Sequence, residues 1–274
     1  MPEKNELDLF SSALETGEVT REDVTRVLYL DTETTGADPE TAHICELALL
    51  LTEYRGFSRI RENDTVLQQL VSPPVPVPPE ASAVHHITNS MLEGSPPVGE
   101  LAGDVSRLVE GSDYICAHNL PYDLSILLRE MPEVWSGIGP DAQLDSLRLS
   151  RHLWPLIPSH SLQALRYRFE LDSGVRGSAH RAMFDTELVR ALLEHATAGG
   201  IVPAGSWMEL ADYISSPLEI KVFSFGKYRG KLVEDIAARD RDYIMWLLKQ
   251  DWVPKDYPDL YHTILDKVSD RERG

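Results

Sequence analysis

One short apolar segment constrains the fold of this chain more than any other feature. Residues 27–30 (VLYL) are apolar on both faces, and the acidic sequence DTETTG follows directly at residues 31–36. Successive side chains of a strand point to opposite faces, so a strand that is apolar on both must be covered on both sides. The segment therefore predicts a central strand of a layered α/β domain that ends at a polar turn.

The order of the other patterns indicates the arrangement of the sheet. Apolar runs of strand length lie at residues 43–54, 66–71 and 114–117, and helical patterns lie at 98–109, after Pro121, at 162–169 and at 182–196. Short turns join the early strands, so we expect these strands to be antiparallel. Three strands followed by alternating helices and a further strand predict an α/β domain with a mixed sheet.

Prolines and glycines divide the chain. Five prolines between residues 73 and 79 predict an extended loop without regular structure. Gly199, Gly200 and Pro203 mark a boundary near residue 205. We expect an acidic helical extension at residues 1–25, the α/β domain at 26–204 and a small C-terminal domain at 205–274.

Composition excludes several classes of protein. The 274 residues include 42% hydrophobic residues, which is too many for a disordered acidic tail, and only two cysteines, which predicts a reducing compartment. The sequence has no signal-peptide pattern and no apolar run of about 20 residues, so we expect a cytoplasmic protein with no membrane partner. The net charge of -18 argues against a polyanionic partner, since nucleic-acid-binding proteins usually present a basic surface.

Two carboxylates mark the end of the first strand. Asp31 and Glu33 are two residues apart, so both side chains leave the strand on the same side, at the edge where open α/β sheets bind ligands. The alternative is an aspartate that caps the turn beside a solvated glutamate. Asp123 follows the strand at 114–117 and opens a helix, where the alternative role is to balance the helix dipole.

A third acidic position lies on an apolar helix face. Asp185 shares one face of the predicted helix with Val189, Leu192 and Leu193. A buried charge there requires a cation, with Arg181 or Arg190 as the alternative partners. Four carboxylates at one end of a sheet repel one another unless multivalent cations compensate, and oxygen ligands favour Mg²⁺ or Mn²⁺. His180 lies near the start of this helix and could act as a general base.

Three motifs together resemble the DEDDh 3′→5′ exonucleases. The sequences DTETTG at 31–36, HNLPYD at 118–123 and HRAMFD at 180–185 match the order and spacing of the three exonuclease motifs of that family. The resemblance spans about residues 26–197 and implies an RNase H-like fold, a mixed five-stranded sheet flanked by helices. It further implies that Asp31, Glu33, Asp123 and Asp185 hold two Mg²⁺ ions, for which Mn²⁺ can substitute, and that His180 deprotonates the attacking water.

The same resemblance predicts residues that contact the substrate. Thr34, Thr35 and Gly36 are expected to lie against the terminal nucleotide, with Asn119 supporting the second motif and Tyr122 in place of a common phenylalanine. The segment VHHIT at residues 84–88 resembles the family's H-x-I-T segment near the substrate cleft. His85 and His86 are therefore predicted substrate residues. His86 stands where many members have glycine.

The last third of the chain has its own signal. Residues 221–231 (KVFSFGKYRGK) interleave basic and aromatic residues, which suits phosphate contact and base stacking, although a hairpin that packs on the next helix is the alternative. The pattern resembles the small C-terminal domain of exonuclease X-like proteins, a hairpin followed by a helix. Lys227, Tyr228 and Lys231 are predicted to bind substrate.

These observations predict a metal-dependent 3′→5′ exonuclease that releases nucleoside monophosphates from nucleic-acid 3′ ends, with DNA favoured over RNA. The alternatives are an enzyme that trims RNA 3′ ends and a non-catalytic module that retains the fold. Repair and antiphage defence are the roles considered, and a homodimer is one possible state. The acidic net charge then predicts that substrate binding depends on the metals and on local basic stretches.

Overall fold

A computed structural model describes residues 24–171 and 181–273 of the chain. Its strands are β1 (Thr25–Thr34), β2 (Ile44–Arg55), β3 (Ser58–Leu70), β4 (Tyr114–Ala117) and β5 (Gln143–Asp145). Its helices are α1 (Pro79–His85), α2 (Ala102–Glu110), α3 (Leu120–Glu130), α4 (Pro132–Trp135), α5 (Ser146–Leu153), α6 (Leu162–Phe169), α7 (Ala182–Ala198), α8 (Trp207–Ser215), α9 (Val233–Arg239), α10 (Arg241–Leu248), α11 (Val253–Asp256) and α12 (Pro258–Arg273). The predicted helical extension at residues 1–25 lies almost wholly outside the described residues. No helix in the described ranges is both long and apolar enough to cross a membrane.

The sheet is mixed, as the sequence predicted. Its order is β3-β2-β1-β4-β5, with β1 at the centre. The pairs β1–β2 and β2–β3 are antiparallel, whereas β1–β4 and β4–β5 are parallel. The five-stranded mixed sheet of the RNase H-like fold is therefore confirmed.

The central strand is covered on both faces. Val27 and Tyr29 contribute to one hydrophobic cluster, which includes the apolar face of α7. Leu28 and Leu30 contribute to a second cluster, which includes α2 and α3. All four side chains are fully buried, so the strand that is apolar on both faces lies between two helical layers.

The proline-rich segment has no helix or strand as far as Pro78, as predicted, but its last proline, Pro79, begins a helix. Residues 79–85 form helix α1, with Pro79 at its first turn. Proline is tolerated there because the first N–H groups of a helix have no partner within the helix and its fixed φ suits the helix start. Residues 143–153, which carry β5 and α5, had no predicted element, and β3 begins at Ser58 rather than near residue 66.

The C-terminal region divides between two cores. Helix α8 places Trp207, Leu210 and Ile214 in the same cluster as α7. A separate cluster begins around Phe223 and includes α9, α10 and α12, and a single antiparallel bridge joins Val222 to Leu232. The hydrophobic contacts thus change between α8 and residue 220, after the predicted boundary at 205. We refer to residues 220–273 as the C-terminal module.

Candidate active site

Three carboxylates converge at the end of the central strand. Asp31 and Glu33 leave β1 on the same side, and Asp185 reaches them from the first turn of α7. One oxygen from each of the three lies within 4.8 Å of the others. The register changes between Glu33 and Thr34, so a β-bulge ends the regular strand directly after the second carboxylate.

Asp185 is buried although its side chain is ionisable. Its side chain is 7% exposed, and Gln163 Nε2 donates a hydrogen bond of 2.7 Å to its Oδ1. The two arginines considered as its partners bind other acids: Arg181 pairs with Glu46, and Arg190 pairs with Asp64. Gln163 lies on α6 and was not predicted from the sequence, because its contact with Asp185 joins residues from separate helices.

Asp123 approaches the cluster from helix α3. It is 4% exposed, and its Oδ1 accepts hydrogen bonds from the Thr32 backbone N–H at 3.1 Å and the Thr32 hydroxyl at 2.6 Å. Thr32 thereby joins the start of α3 to β1, between the two strand carboxylates. The structure brings Asp123 into electrostatic contact with Asp31, and its negative charge raises the pKa of Asp31.

The electrostatics of the four positions favour a bound cation. Burial, followed by repulsion from Asp185, raises the pKa of Glu33 to about 8. Burial raises the pKa of Asp123 to about 7, although the Thr32 hydrogen bonds lower it, and burial with repulsion from Asp123 raises the pKa of Asp31 well above its usual range. Clustered oxygen ligands with unfavourable mutual repulsion fit hard divalent cations.

A fifth acid stabilises the site without joining the cluster. Glu46 faces Glu33 across the β1–β2 pair and is 1% exposed. Arg181 donates to both of its oxygens at 2.9 and 3.2 Å, and Gln68 Nε2 and the Ala182 N–H also donate to it. Burial opposes ionisation, but these hydrogen bonds outweigh it and lower the pKa of Glu46. The only sequence signal for Glu46 is an acid inside an apolar run.

A cleft of about 690 Å³ opens beside the carboxylates. Its lining includes six of the predicted substrate residues, Thr34, Thr35, Gly36, His85, Asn119 and Tyr122, together with Glu33. The Tyr122 hydroxyl donates to the Gly36 carbonyl at 2.7 Å and also lies 2.7 Å from the Thr34 hydroxyl. Tyr122 therefore fixes the turn that forms one wall of the cleft.

His85 and His86 have different environments. His85 is buried: its Nδ1 accepts the Ile87 N–H, so its Nε2 carries the proton and donates to the Thr34 carbonyl at 3.2 Å. His86 is exposed and ends α1 with φ 63°, in the left-handed region that favours glycine. The unusual residue thus occupies a strained backbone position directly after His85, which lines the cleft.

His118 and Asn119 fix the start of the second motif. His118 donates through Nε2 to the His160 carbonyl at 2.8 Å, and its Nδ1 then accepts from the Ser146 hydroxyl. Burial lowers the pKa of His118, in agreement with a neutral ring. Asn119 has φ 75° and donates its N–H to Asp145.

The remaining predicted residues lie elsewhere. His180 lies outside the described residues, while its neighbour Arg181 is held by Glu46. Lys227, Tyr228 and Lys231 belong to the C-terminal module rather than to the wall of the cleft. Lys227 and the Tyr228 hydroxyl both donate to Asp240.

Two family models match the chain. The model described as Exonuclease matches residues 28–193, and the model described as Exodeoxyribonuclease X-like C-terminal matches residues 223–251. The first contains all four carboxylates. The second contains residues 223–231 of the basic and aromatic segment. Both resemblances drawn from the sequence motifs are confirmed.

Individual proteins and solved structures agree with these matches. Exodeoxyribonuclease 10 of Escherichia coli K12 is 33% identical over 184 residues, which cover 66% of this chain and 76% of that protein. The DNA polymerase III epsilon subunit of Pasteurella multocida Pm70 is 30% identical over 181 residues, covering 64% of this chain and 69% of that protein.

The fold matches as well. A structure of exonuclease X in complex with 5′ overhanging duplex DNA superposes with a TM-score of 0.51 and 26% identity, covering 68% of this chain and 99% of that one. Exonuclease I, at 21% identity and a TM-score of 0.52 over 69% of this chain and 43% of that one, shares the fold. Because the Exonuclease family model matches more than half of this chain, the chain belongs to the exonuclease family.

Proposed function

We propose that this exonuclease hydrolyses the terminal phosphodiester bond at DNA 3′ ends and releases nucleoside monophosphates. The observation that carries the proposal is the convergence of Asp31, Glu33 and Asp185 within 4.8 Å, directly beside a cleft large enough for a nucleotide. Glu33 belongs both to the cluster and to the lining of the cleft, so a phosphodiester seated in the cleft would lie next to carboxylates that would hold divalent cations. The relatives named exodeoxyribonuclease and the DNA bound to exonuclease X support DNA as the substrate.

Divalent cations are required by the exonuclease family, and the acidic cluster fits them. We assign Asp31, Glu33, Asp123 and Asp185 as the residues that hold two Mg²⁺ ions. When bound, the ions would supply electrostatic stabilisation of the charge that develops on the phosphate and the leaving oxygen. Gln163 and Thr32 orient two of the ligands by hydrogen bonds, and such outer contacts commonly govern metal affinity.

The general base is assigned to His180. Two other histidines close to the cluster have both ring nitrogens committed: His85 to Ile87 and Thr34, and His118 to Ser146 and His160. Their hydrogen bonds fix each ring as a neutral tautomer, so neither is available to take a proton from water. His180 directly precedes Arg181 in the sequence. The Arg181 guanidinium donates to Glu46 next to the start of α7.

The cleft is assigned to the 3′-terminal nucleotide. Thr34, Thr35, Gly36, Asn119 and Tyr122 line it, and Tyr122 holds the turn at Gly36 by a hydrogen bond. His86 directly follows His85 of the cleft and is exposed, and we assign it to contact the base or sugar from solvent. Lys227, Tyr228 and Lys231 of the C-terminal module are assigned to a more distant part of the same strand.

The assignment predicts the outcome of two substitutions. Asp123→Ala and Asp185→Ala should abolish the release of mononucleotides, because each removes an oxygen ligand, while the protein stays folded. The measurement is digestion of 3′-labelled DNA and RNA of one sequence, single- and double-stranded, with Mg²⁺ and with EDTA. Asp104→Asn on the exposed face of α2 is the matched control and should cleave like the wild type.

Each arm of that assay has a distinct meaning. Undiminished release of mononucleotides by Asp185→Ala, or equal cleavage in EDTA, would contradict the metal assignment. Faster digestion of RNA than of DNA would show that RNA is the preferred substrate. The assignment of the active-site residues would then be unchanged. Products longer than mononucleotides would contradict exonucleolytic cleavage.

A further inference from the structure

The C-terminal module carries a continuous ladder of aromatic rings on its surface. The Tyr228 and Tyr243 rings meet edge to face at 5.0 Å, and the Tyr243 and Trp246 rings stack at 5.7 Å with an interplanar angle of 27°. Lys227 Nζ lies 4.7 Å from the centroid of the Tyr228 ring. We call Lys227, Tyr228, Tyr243 and Trp246 the aromatic ladder.

The outer end of the ladder is not required by the core. Helix α10 buries Ile244 and Leu247 and packs Tyr243 partly against the core, whereas Trp246, one turn after Tyr243, is exposed. Trp246 is 49% exposed, the most exposed of the five tryptophans. A large apolar ring that is held at the surface offers one free face for stacking.

The inner end of the ladder is held rigidly. Gly226 has φ +71°, and a Cβ there would stand 2.7 Å from the Tyr243 hydroxyl, so the turn is fitted to this ring. Asp240 accepts hydrogen bonds from Lys227 and the Tyr228 hydroxyl, and also from the Tyr243 N–H. The rings therefore lose little conformational freedom on binding a ligand.

The lysines of the chain are concentrated in the part of the sequence that carries the ladder. Six of the seven lysines of the chain lie between residues 221 and 267, and none lies between 26 and 220. Arg229 and Lys231 follow Tyr228 on the same turn, and Lys249 follows Trp246. These three cations are exposed and form no ion pair with any residue that the structure describes. The remainder of the chain carries most of the acidic excess.

We propose that the aromatic ladder binds single-stranded DNA on the 5′ side of the nucleotide in the cleft. A base stacks on the free face of Trp246, and Arg229, Lys231 and Lys249 contact the phosphates. Stacking platforms edged by cations bind single strands with little sequence preference, because every base has a π-face. This proposal rests on the proposed function only in taking DNA as the ligand, because the ladder lies outside the active site.

Trp246→Ala tests the proposal in the full-length protein. In EDTA, where cleavage does not occur, fluorescence anisotropy of a labelled dT20 oligonucleotide should show binding about tenfold weaker than that of the wild type. Trp246→Phe should retain most of the affinity. Leu265→Ala, at another exposed apolar position of the module, is the matched control and should bind like the wild type.

Two further arms define the ligand. A blunt duplex of 20 base pairs should bind far more weakly than dT20, because the bases inside a duplex stack on one another and their faces are covered. Arg229→Gln and Lys231→Gln should each reduce the slope of log K against log salt by about 0.7. With Mg²⁺, Trp246→Ala should raise KM for dT20 by about tenfold and leave cleavage of a tetranucleotide unchanged.

The outcomes separate the ladder from the active site. Binding of dT20 by Trp246→Ala within twofold of the wild type would overturn the ladder, even if cleavage is normal. Equal weakening by Trp246→Ala and Leu265→Ala, with a lowered Tm in both, would also overturn it, since the loss would then come from the fold. Normal binding of dT20 without any release of mononucleotides would instead contradict the proposed function and leave the ladder standing.

Discussion

Glu33 and Glu46 face each other across two strands and have opposite electrostatic roles. Glu46 is surrounded by donors, and its pKa is lowered. Burial, followed by repulsion from Asp185, Glu46 and Asp123, raises the pKa of Glu33 to about 8. One satisfied acid therefore stabilises the fold beside another that destabilises it until a cation binds. Function at this site costs stability in the metal-free protein.

That cost predicts a pH dependence. Glu33 has a pKa near 4.5 when unfolded and about 8 when folded, so the native state holds the proton more tightly. The free energy of unfolding of the metal-free protein should fall as pH rises from about 4.5 to 8. Glu33→Gln should remove part of this slope and raise Tm at pH 8, while abolishing cleavage. Thermal unfolding in EDTA at pH 5 and pH 8 measures the effect.

Glu40→Gln, an exposed acid on the loop after β1, is the control for that experiment. It should leave both the pH slope and the cleavage rate near those of the wild type. Added Mg²⁺ should raise Tm more at pH 8 than at pH 5 in the wild type, since ionised carboxylates bind the cation. A Glu33→Gln protein that is less stable than the wild type at pH 8 would contradict the inferred repulsion between Glu33 and the neighbouring carboxylates.

At the scale of elements, the start of helix α7 is the critical junction. The residue before the helix, Arg181, provides no side-chain cap, and Glu46 of β2 instead accepts the Ala182 N–H and the Arg181 guanidinium. The Glu46 side chain thus accepts a hydrogen bond from a backbone N–H that has no partner within the helix. This contact fixes the turn that presents Asp185 to β1.

Glu46→Gln should therefore weaken catalysis without removing a ligand. The substitution keeps the volume but loses the charge that holds Arg181, so the turn carrying Asp185 is less well positioned. We expect a 10- to 100-fold loss in metal affinity or activity, as is usual for residues that orient ligands. Titration of activity with Mg²⁺ should show a raised half-saturating concentration, which a general loss of stability would not produce.

Glu53→Gln is the matched control, because Glu53 lies on the same strand and pairs with Arg26 at the opposite end of the sheet. This variant should keep the Mg²⁺ dependence of the wild type. If Glu46→Gln and Glu53→Gln have equal effects on the half-saturating Mg²⁺ concentration, Glu46 has no positioning role.

At the scale of the whole molecule, one arginine joins the two cores. Arg148 of α5 donates to both oxygens of Asp259 on α12 at 2.7 and 2.9 Å, and also to the Ile214 and Ser216 carbonyls. Asp259 in turn accepts the Leu218 N–H. Burial opposes ionisation of Asp259, but the Arg148 hydrogen bonds outweigh it and lower its pKa. The exonuclease core and the C-terminal module are thus joined by charge as well as by the connecting chain.

Arg148→Ala should loosen this junction. The substitution leaves Asp259 and two carbonyls without their donor, which we expect to lower the free energy of unfolding by about 2 kcal/mol. Urea unfolding measures the loss, and limited proteolysis should cut the connection near residues 215–220 faster. Arg107→Ala, which breaks an exposed pair within α2, should cost less than about 1 kcal/mol. Equal losses in the free energy of unfolding from the two substitutions would contradict the role of Arg148 in joining the two cores.

Much of the fold follows from local pattern. The central strand, β4, α6 and α7 lie close to their predicted positions, because each has a strong apolar period and a clear boundary residue. The prediction failed for α1 and for β5 with α5. Pro79 was interpreted as a breaker although it starts a helix, and β5 has only three residues, too few to show a period.

The sequence by itself determined the central strand, the mixed sheet and the acidic residues assigned to the site, because strand periodicity and motif spacing are local properties. Only the tertiary structure decided which acids meet and which are neutralised. The register of β1 with β2 sets Glu46 opposite Glu33, and the packing of α6 on α7 brings Gln163 to Asp185. The same holds for the ladder, since the Tyr228 ring meets the Tyr243 ring only when the turn folds onto α10. Contacts between elements depend on distances in space, which the order of residues along the chain does not contain.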